Sequence, residues 1–444
     1  MAAPEKVGRS SGSWAKKPLG VPSGVPPPSV PLLFLCAAPI GLIACGVALV
    51  WARTAAAYDP TADPVVAATH FGVLAALSMG VLGAVHQFTP VITGRPLRSI
   101  PIARVTFVTW LAGSWMLPVG VAVSNVATVA LSGVAVSVAI VLLVVNLFKP
   151  LAVGGKGPPV VGLRLSLVGA VMTVVLGAVF VGNREGDWFS FSGHIDVAMG
   201  VLGLFGWLGA TYVAVAEKLW SMFLLAHVPG HAISGRLAVW TVPLATIPLC
   251  VGLMFDVTAL AWVGAVVLAA GLGAHLASLV VHVRHRRRKA DLHLLFIVTS
   301  SVSLVVGACL SLASSLVIAD HETLGVSLAA GAIVAFAGWL LIALVGHAHK
   351  VVPFIVWTSL RARGIEKGGT GKPLMFAELY DHRLAALTYA FVVTGVALVC
   401  VGFAASVAFA VATGAVFLVA TGIVITVNLS FKPTSLLFKS RRAG

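Results

Sequence analysis

The chain has 444 residues, of which 59% are hydrophobic and only 10% charged, and its mean hydropathy is +1.04. A soluble core has no room for that much apolar surface, so the solvent this chain is built for is a lipid bilayer. The formal net charge of +15 falls in short clusters between apolar runs, and no nucleic-acid-reading motif accompanies it. Nucleic acid is therefore excluded as the partner, and the charge reads as a determinant of membrane orientation.

Residues 1–29 are rich in Pro, Gly, Ser and Lys. They are too long and too polar for a cleaved signal peptide, and they read as a disordered basic cytoplasmic tail. A membrane span needs about 20 apolar residues. By that measure the sequence predicts twelve, at 30–52, 65–92, 104–124, 126–147, 162–182, 194–226, 235–255, 258–283, 292–317, 323–347, 384–407 and 409–429. The sixth is long and is expected to run past the inner interface. The expected fold is an all-α polytopic membrane protein: a single twelve-helix domain over 30–429, with a cytoplasmic loop at 348–383 that lies along the interface. Residues 430–444 form a second basic tail. No sequence repeat stands out.

One set of loops carries GRPLRSIPIAR, KPLAVGGKGPPVVGLR, RHRRRK, HKVVPFIVWTSLRARGIEKGGTGK and the terminal KSRR. The alternate set carries ARTAAAYDPTAD, GNREGDWF, FD and ADHE. Basic loops stay inside, so both termini are expected in the cytoplasm, in a multi-pass protein of the cell membrane. The five cysteines, Cys36, Cys45, Cys250, Cys309 and Cys400, each lie in an apolar run without a CxxC pattern. They read as small buried residues rather than disulfides or thiolate metal sites. The Gly, Ala and Ser content of the spans favours close helix contacts and says nothing about chemistry.

Charged residues inside the spans are scarce, which leaves histidine as the recurring titratable side chain. His70 opens the second span and His194 the sixth; His321 precedes the tenth. All three belong to the outer side. With Asp187, Asp196, Asp320 and Glu322 they form an expected outer cluster. His86 lies 16 residues past His70, about 24 Å deeper along a helix, and Glu217 and Lys218 lie about 35 Å past His194 by the same rise. These belong to the inner side, as do His227, His231, His275, His282, His285, His293, His347, His349 and His382. The inner histidines read as the weaker candidates. His347 and His349 are two apart, about 200° around a helix, so their rings point to opposite faces. Pro229 separates His227 from His231. His282 and His285 sit in VHVRHRRRK, which reads as a basic run near anionic headgroups. Neutral imidazole at matched depth on different spans is suited to haem iron or copper, which favours the outer set.

Twelve spans with both termini inside resemble subunit I of the haem–copper oxidase superfamily. THFGVLAALSMGVLGAVHQFTPVITG is similar to that family's second helix, whose outer histidine ligates a low-spin haem; the resemblance puts this role on His70. FSGHIDVAMGVLGLFG is similar to the sixth-helix stretch whose histidine binds copper, which puts that role on His194 and an acidic, outer-shell role on Asp196. DHETLGVSLAAGAIVAFAGW is similar to the tenth helix over GAIVAFAGW, but the two histidine positions there are Thr323 and Gly325, and His321 is the nearest candidate. The seventh helix, GRLAVWTVPLATIPL, has none of the family's copper histidines, and the tyrosine after the copper histidine is missing. GLFGWLGATYVAVAEKLWSMFLLAH and HKVVPFIVW resemble a group of bacterial proteins related to oxidase subunit I. Nitric-oxide-response haem–copper membrane proteins are a more distant comparison.

The resemblance implies a membrane protein binding b-type haem, with copper as a further metal, in electron transfer or diatomic-gas handling. His70 and His321 would be the axial ligands and His194 the metal ligand. It also implies that the chain is not a complete terminal oxidase. Two other functions compete. One is a metal-free scaffold or assembly factor partnering a respiratory or copper enzyme. The other is a twelve-helix permease for a metal or small molecule, which the scarcity of buried charge and of paired broken helices disfavours.

Overall fold

A computed structural model of the chain describes residues 25–186, 194–228, 233–367 and 373–433. The outer parts of both expected tails, Asp187 and His231 lie outside the described residues. Among the described residues, twelve helices are long and apolar enough to cross a membrane. They are α1 (Ser29–Trp51), α2 (Asp63–Thr93), α3 (Ile100–Ala122), α4 (Val126–Val153), α5 (Pro158–Asn183), α6 (Ile195–Phe223), α7 (Ile233–Met254), α8 (Thr258–Arg284), α9 (Leu292–Val317), α10 (Glu322–Ala362), α11 (His382–Ala404) and α12 (Ala408–Phe431). Helices are the expected answer to an apolar chain in lipid, because each satisfies its own backbone hydrogen bonds.

The tenth helix departs most from expectation. It runs 41 residues, through the first part of the segment read as an interfacial loop. Gly346 does not stop it, and Pro353 lies inside it. At 1.5 Å per residue it is about 60 Å long, so its last turns stand beyond the hydrocarbon at the end of the bundle that bears the Arg-rich connections.

The hydrophobic stretches of α6, α10 and α2 are 78%, 61% and 56% buried, against 44% or less for the other nine helices. These three therefore form the centre. α2, α6 and α10 touch one another, and the rest surround them, with α1 packed on α12 to close the ring.

No repeat is visible in the sequence, yet several local devices recur at intervals of four helices. The hairpins α3–α4, α7–α8 and α11–α12 share one turn. Ser124, Asp256 and Ser406 have φ of 50°, 55° and 55°. The next backbone N–H in each case donates to a glycine carbonyl five residues back: Asn125 to Gly120 at 2.9 Å, Val257 to Gly252 and Val407 to Gly402 at 2.8 Å. This is the six-to-one bond of a Schellman cap, here built without the usual left-handed glycine. The glycines are needed for a different reason. A Cβ at Gly120, Gly252 or Gly402 would run into the backbone of Val129, Ala261 or Val411 on the facing helix.

The peripheral helices α3, α7 and α11 each donate a side chain to a carbonyl of the central helix beside them. The Trp110 indole reaches Leu74 at 3.1 Å, and the Cys250 and Cys400 thiols reach Ala198 and Gly331 at 3.3 Å. The Leu74 carbonyl belongs to a π-helical segment, Phe71–Ser78, and α6 carries another at Leu202–Gly209; such widened turns loosen the regular ladder. Asn146 in VVNLFKP and Asn428 in TVNLSFKP likewise each accept from a backbone N–H 47 residues earlier, Ser99 at 2.8 Å and Asp381 at 2.7 Å. Two of the cysteines are thus weak donors rather than mere apolar filler.

The shared turn makes a prediction. Gly402→Val should lower stability by about 1–3 kcal/mol, the usual cost of overpacking a tight contact, whereas Asp256→Gly, which relieves the left-handed φ of 55° at an exposed residue, should leave it unchanged or raise it. Thermal unfolding of the purified protein in detergent checks both.

Candidate functional site

His70, His194 and His321 stand near the starts of the three central helices α2, α6 and α10. His70 is half-buried near the start of α2, and its Nδ1 donates to the Val66 carbonyl at 2.7 Å. His194 is exposed at the N-cap of α6; its backbone N–H donates to Leu253, and its side chain caps nothing. Asp196 is exposed in the first turn of the same helix. His321 is exposed at the N-cap of α10, in a surface dish lined by Glu322, Thr323 and Leu324. No hydrogen bond, ion pair or ring contact among the described residues links these three histidines.

The opposite, basic end is where the polar side chains gather. On α8, His275, Ser278 and His282 stand at i, i+3 and i+7, on one face of the helix. That face meets α6. Ser278 Oγ donates to Glu217 Oε1 at 2.6 Å, and His282 Nδ1 donates to the Ser278 carbonyl at 2.9 Å. This leaves His282 Nε2 as the acceptor for Ser221 Oγ at 3.1 Å. Glu217 is buried against Gly235 of α7, where a Cβ would collide with the carboxylate. His282 is therefore a buried link between α6 and α8, not part of a solvated basic run; the exposed member of that pair is His285.

His293, in the first turn of α9, and His347, on α10, meet directly. Nε2 of His293 is 2.8 Å from Nδ1 of His347. The pair is enclosed by Phe223, with ring centroids at 5.3 Å and 6.2 Å, and by Tyr212 at 5.8 Å from His347. Tyr212 also lies 5.5 Å from both His275 and Trp339, and Trp220 stacks at 4.9 Å from His275. His349 turns away from this cluster, stacks on Phe296 at 5.6 Å and lies 5.9 Å from Tyr380. The two-residue spacing thus sends the neighbouring imidazoles to different sides.

An ion pair stands at the start of α9, two residues from His293. Lys350 Nζ is 2.7 Å from Asp291 Oδ2, and Arg288 Nε is 3.4 Å from the same oxygen. The other Asp291 oxygen caps α9 through the Leu294 N–H at 3.2 Å. Close by, burial and the Asp291 carboxylate push the Tyr380 phenol above its ordinary value, so it stays a neutral donor at physiological pH.

Several nitrogens of this region are sealed from solvent without a hydrogen-bond partner: His275 Nδ1, His347 Nε2, His349 Nε2 and, on α2, His86 Nε2. Both His86 and His349 donate Nδ1 to the carbonyl four residues back, at 2.7 Å and 2.8 Å, so each Nε2 presents a lone pair. Buried polar atoms are nearly always partnered in proteins, which sets these nitrogens apart from the hydrogen-bonded polar groups around them. No three His, Cys, Asp or Glu side chains among the described residues converge as ligands for one ion. Comparison of the chain with family models and with curated proteins finds no match.

Sequence reasoning ranked this end below the outer one. A signal was present in the helical spacing of His275, Ser278 and His282. The pairing of His293 with His347, 54 residues apart, had none.

The direct imidazole contact predicts a specific coupling. His347→Leu leaves a buried nitrogen of His293 unpaired and should cost about 1–3 kcal/mol. The double variant His293→Leu, His347→Leu should cost clearly less than the sum of the single variants. A double-mutant cycle on thermal unfolding measures this, and additive losses would show that the two rings are not bonded.

Proposed function

We propose that this chain is a proton-handling integral membrane protein with the helix order of oxidase subunit I, and that the histidine cluster at its basic end is the proton entrance. The twelve spans in the expected order support the architectural part. The observation that carries the functional part is the 2.8 Å contact between His293 and His347, with the far nitrogen of His347 buried and unpartnered.

An imidazole–imidazole hydrogen bond uses one N–H and one bare nitrogen, and it has two equivalent forms. A proton accepted at Nδ1 of His293 releases its Nε2 proton to His347 Nδ1, and His347 then gives up the proton on its own Nε2 to a water molecule that enters beside that nitrogen. Both rings end in the other tautomer and one proton has moved inward. Return of the tautomers resets the pair. Histidine suits this work because a neutral ring carries both an N–H and a bare nitrogen, so it can receive a proton on one side and release one on the other. The Lys350–Asp291 pair orients Asp291 at the mouth of the relay. By the positive-inside rule the basic loops support a cytoplasmic location for this end and for both termini, in the cell membrane.

The resemblance would put b-type haem on His70 and His321 and copper on His194. The residues do not fit those groups. His194 and His321 are exposed at helix N-caps, where solvent rather than an apolar haem pocket surrounds the ring. An axial ligand is normally oriented by a hydrogen bond on its other nitrogen, and of the three only His70 has one. No step is therefore routed through haem or through copper at His194. Protein purified from haem-replete cells is expected to lack a stoichiometric Soret band that depends on His70. A band lost on His70→Ala would restore the haem reading.

The relay is tested by reconstitution into vesicles with an imposed potential and an internal pH dye. Proton uptake should exceed that of protein-free vesicles, and His293→Gln or His347→Gln should lower it at least tenfold. His285→Ala, on the exposed turn nearby, should leave it unchanged. Uptake equal to that of empty vesicles, or indifferent to the two glutamine substitutions, overturns the proposal.

A further inference from the structure

We infer that the His293–His347 pair is also a binding site for a single monovalent d10 metal ion, of the copper(I) and silver(I) class, held linearly between His293 Nε2 and His347 Nδ1. It shares the histidine pair with the relay, but its test does not depend on proton movement.

The argument begins with direction. In the hydrogen bond the two nitrogens aim their in-plane σ orbitals at one point between the rings, at a separation of 2.8 Å. Linear two-coordinate ligation requires the same arrangement at wider spacing. With metal–imidazole bonds of about 2 Å, the nitrogens would stand about 4 Å apart, so the pair must open by about 1 Å. His293 is in the first turn of α9, where a small shift disturbs the least of the helix ladder.

The surroundings select the class of ion. The rings of Phe223 and Tyr212 lie against the pair, and among the described residues no third His, Cys, Asp or Glu completes a set of ligands. The nearby carboxylate of Asp291 is engaged by Lys350, Arg288 and the Leu294 N–H. Zinc takes four ligands, and calcium and magnesium take six or more oxygens; none of these is served here. A second positive charge beside Lys350 and Arg288 would also be costly in a buried site. A soft monovalent ion satisfied by two nitrogens meets both limits.

The step balances without a redox partner. The ion forms two metal–nitrogen bonds, and the bridging proton moves to the distal nitrogen of the ring that held it, Nδ1 of His293 or Nε2 of His347. Both imidazoles stay neutral, and the site gains the single charge of the ion. If the pair already carries an extra proton, the ion replaces it one for one.

Silver(I) is the probe, because it keeps its oxidation state in air. The full-length protein in detergent, dialysed against silver nitrate in chloride-free buffer, should retain a nitrogen-bound ion at one per chain. X-ray absorption should show two nitrogen neighbours in line. His293→Gln and His347→Gln should each weaken that binding at least 100-fold, while His285→Ala should not. Size-exclusion profiles matching the parent show that the variants are folded, and the histidine ligation is also read in the parent alone from its absorption spectrum. Silver bound only through sulfur, or retained unchanged in His347→Gln, overturns the inference. Silver binding without proton uptake removes the relay and leaves this site, whereas proton uptake without nitrogen-bound silver does the reverse.

Discussion

In a bilayer core, a backbone N–H or C=O without a partner has no water to turn to, and the rest of this structure follows from that constraint. It explains why the apolar chain becomes twelve helices, and it governs the places where helices are irregular. In the π-helical turn of α2 the Leu74 carbonyl accepts from the Met79 N–H and, as a second donor, from the Trp110 indole. The bends between hairpins are closed by backbone bonds to Gly120, Gly252 and Gly402, even though Ser124, Asp256 and Ser406 must adopt left-handed backbone. The loops entering α3 and α11 are tied by Asn146 and Asn428. Each device partners a polar group that lipid would leave alone.

The same constraint makes the basic end of the bundle stand out. Glu217, Ser221, Ser278 and His282 form a closed set of hydrogen bonds between α6 and α8. The imidazoles around them are only partly satisfied, with sealed nitrogens on His275, His347 and His349. A region that needed only to hold helices together would be served by the first kind of contact. The imidazoles that keep an unpartnered nitrogen are enclosed by Tyr212, Trp220, Trp339 and Phe223, and it is on them that the proposed relay rests.

Much of the fold was legible in the sequence because hydrophobicity and span length are local properties. The twelve runs, their order and the basic and acidic alternation of the loops need no knowledge of contacts. The length of α10 was less legible, because Gly346 and Pro353 look like stops, and only packing against its neighbours carries the helix past them. The four-helix recurrence was hidden because the repeated elements are geometries rather than residue types: Trp110, Cys250 and Cys400 do the same work with different atoms. The outer histidines drew attention through their positions at the heads of spans. Position along a span says nothing of what a side chain meets: His194 and His321 are exposed at helix N-caps, and among the described residues no hydrogen bond, ion pair or ring contact joins them to His70.

The sequence by itself determined that this is a membrane-spanning helical protein, where its spans run, and which end carries positive charge. It did so because the free energy of moving apolar and charged groups between water and lipid is summed along the chain, residue by residue. Only the tertiary structure decided which histidines meet. His293 and His347 are far apart in sequence and lie on antiparallel helices, so their contact depends on how α9 and α10 are rotated and stacked. Rotation and stacking are set by side-chain packing across the whole bundle, and no local pattern encodes them.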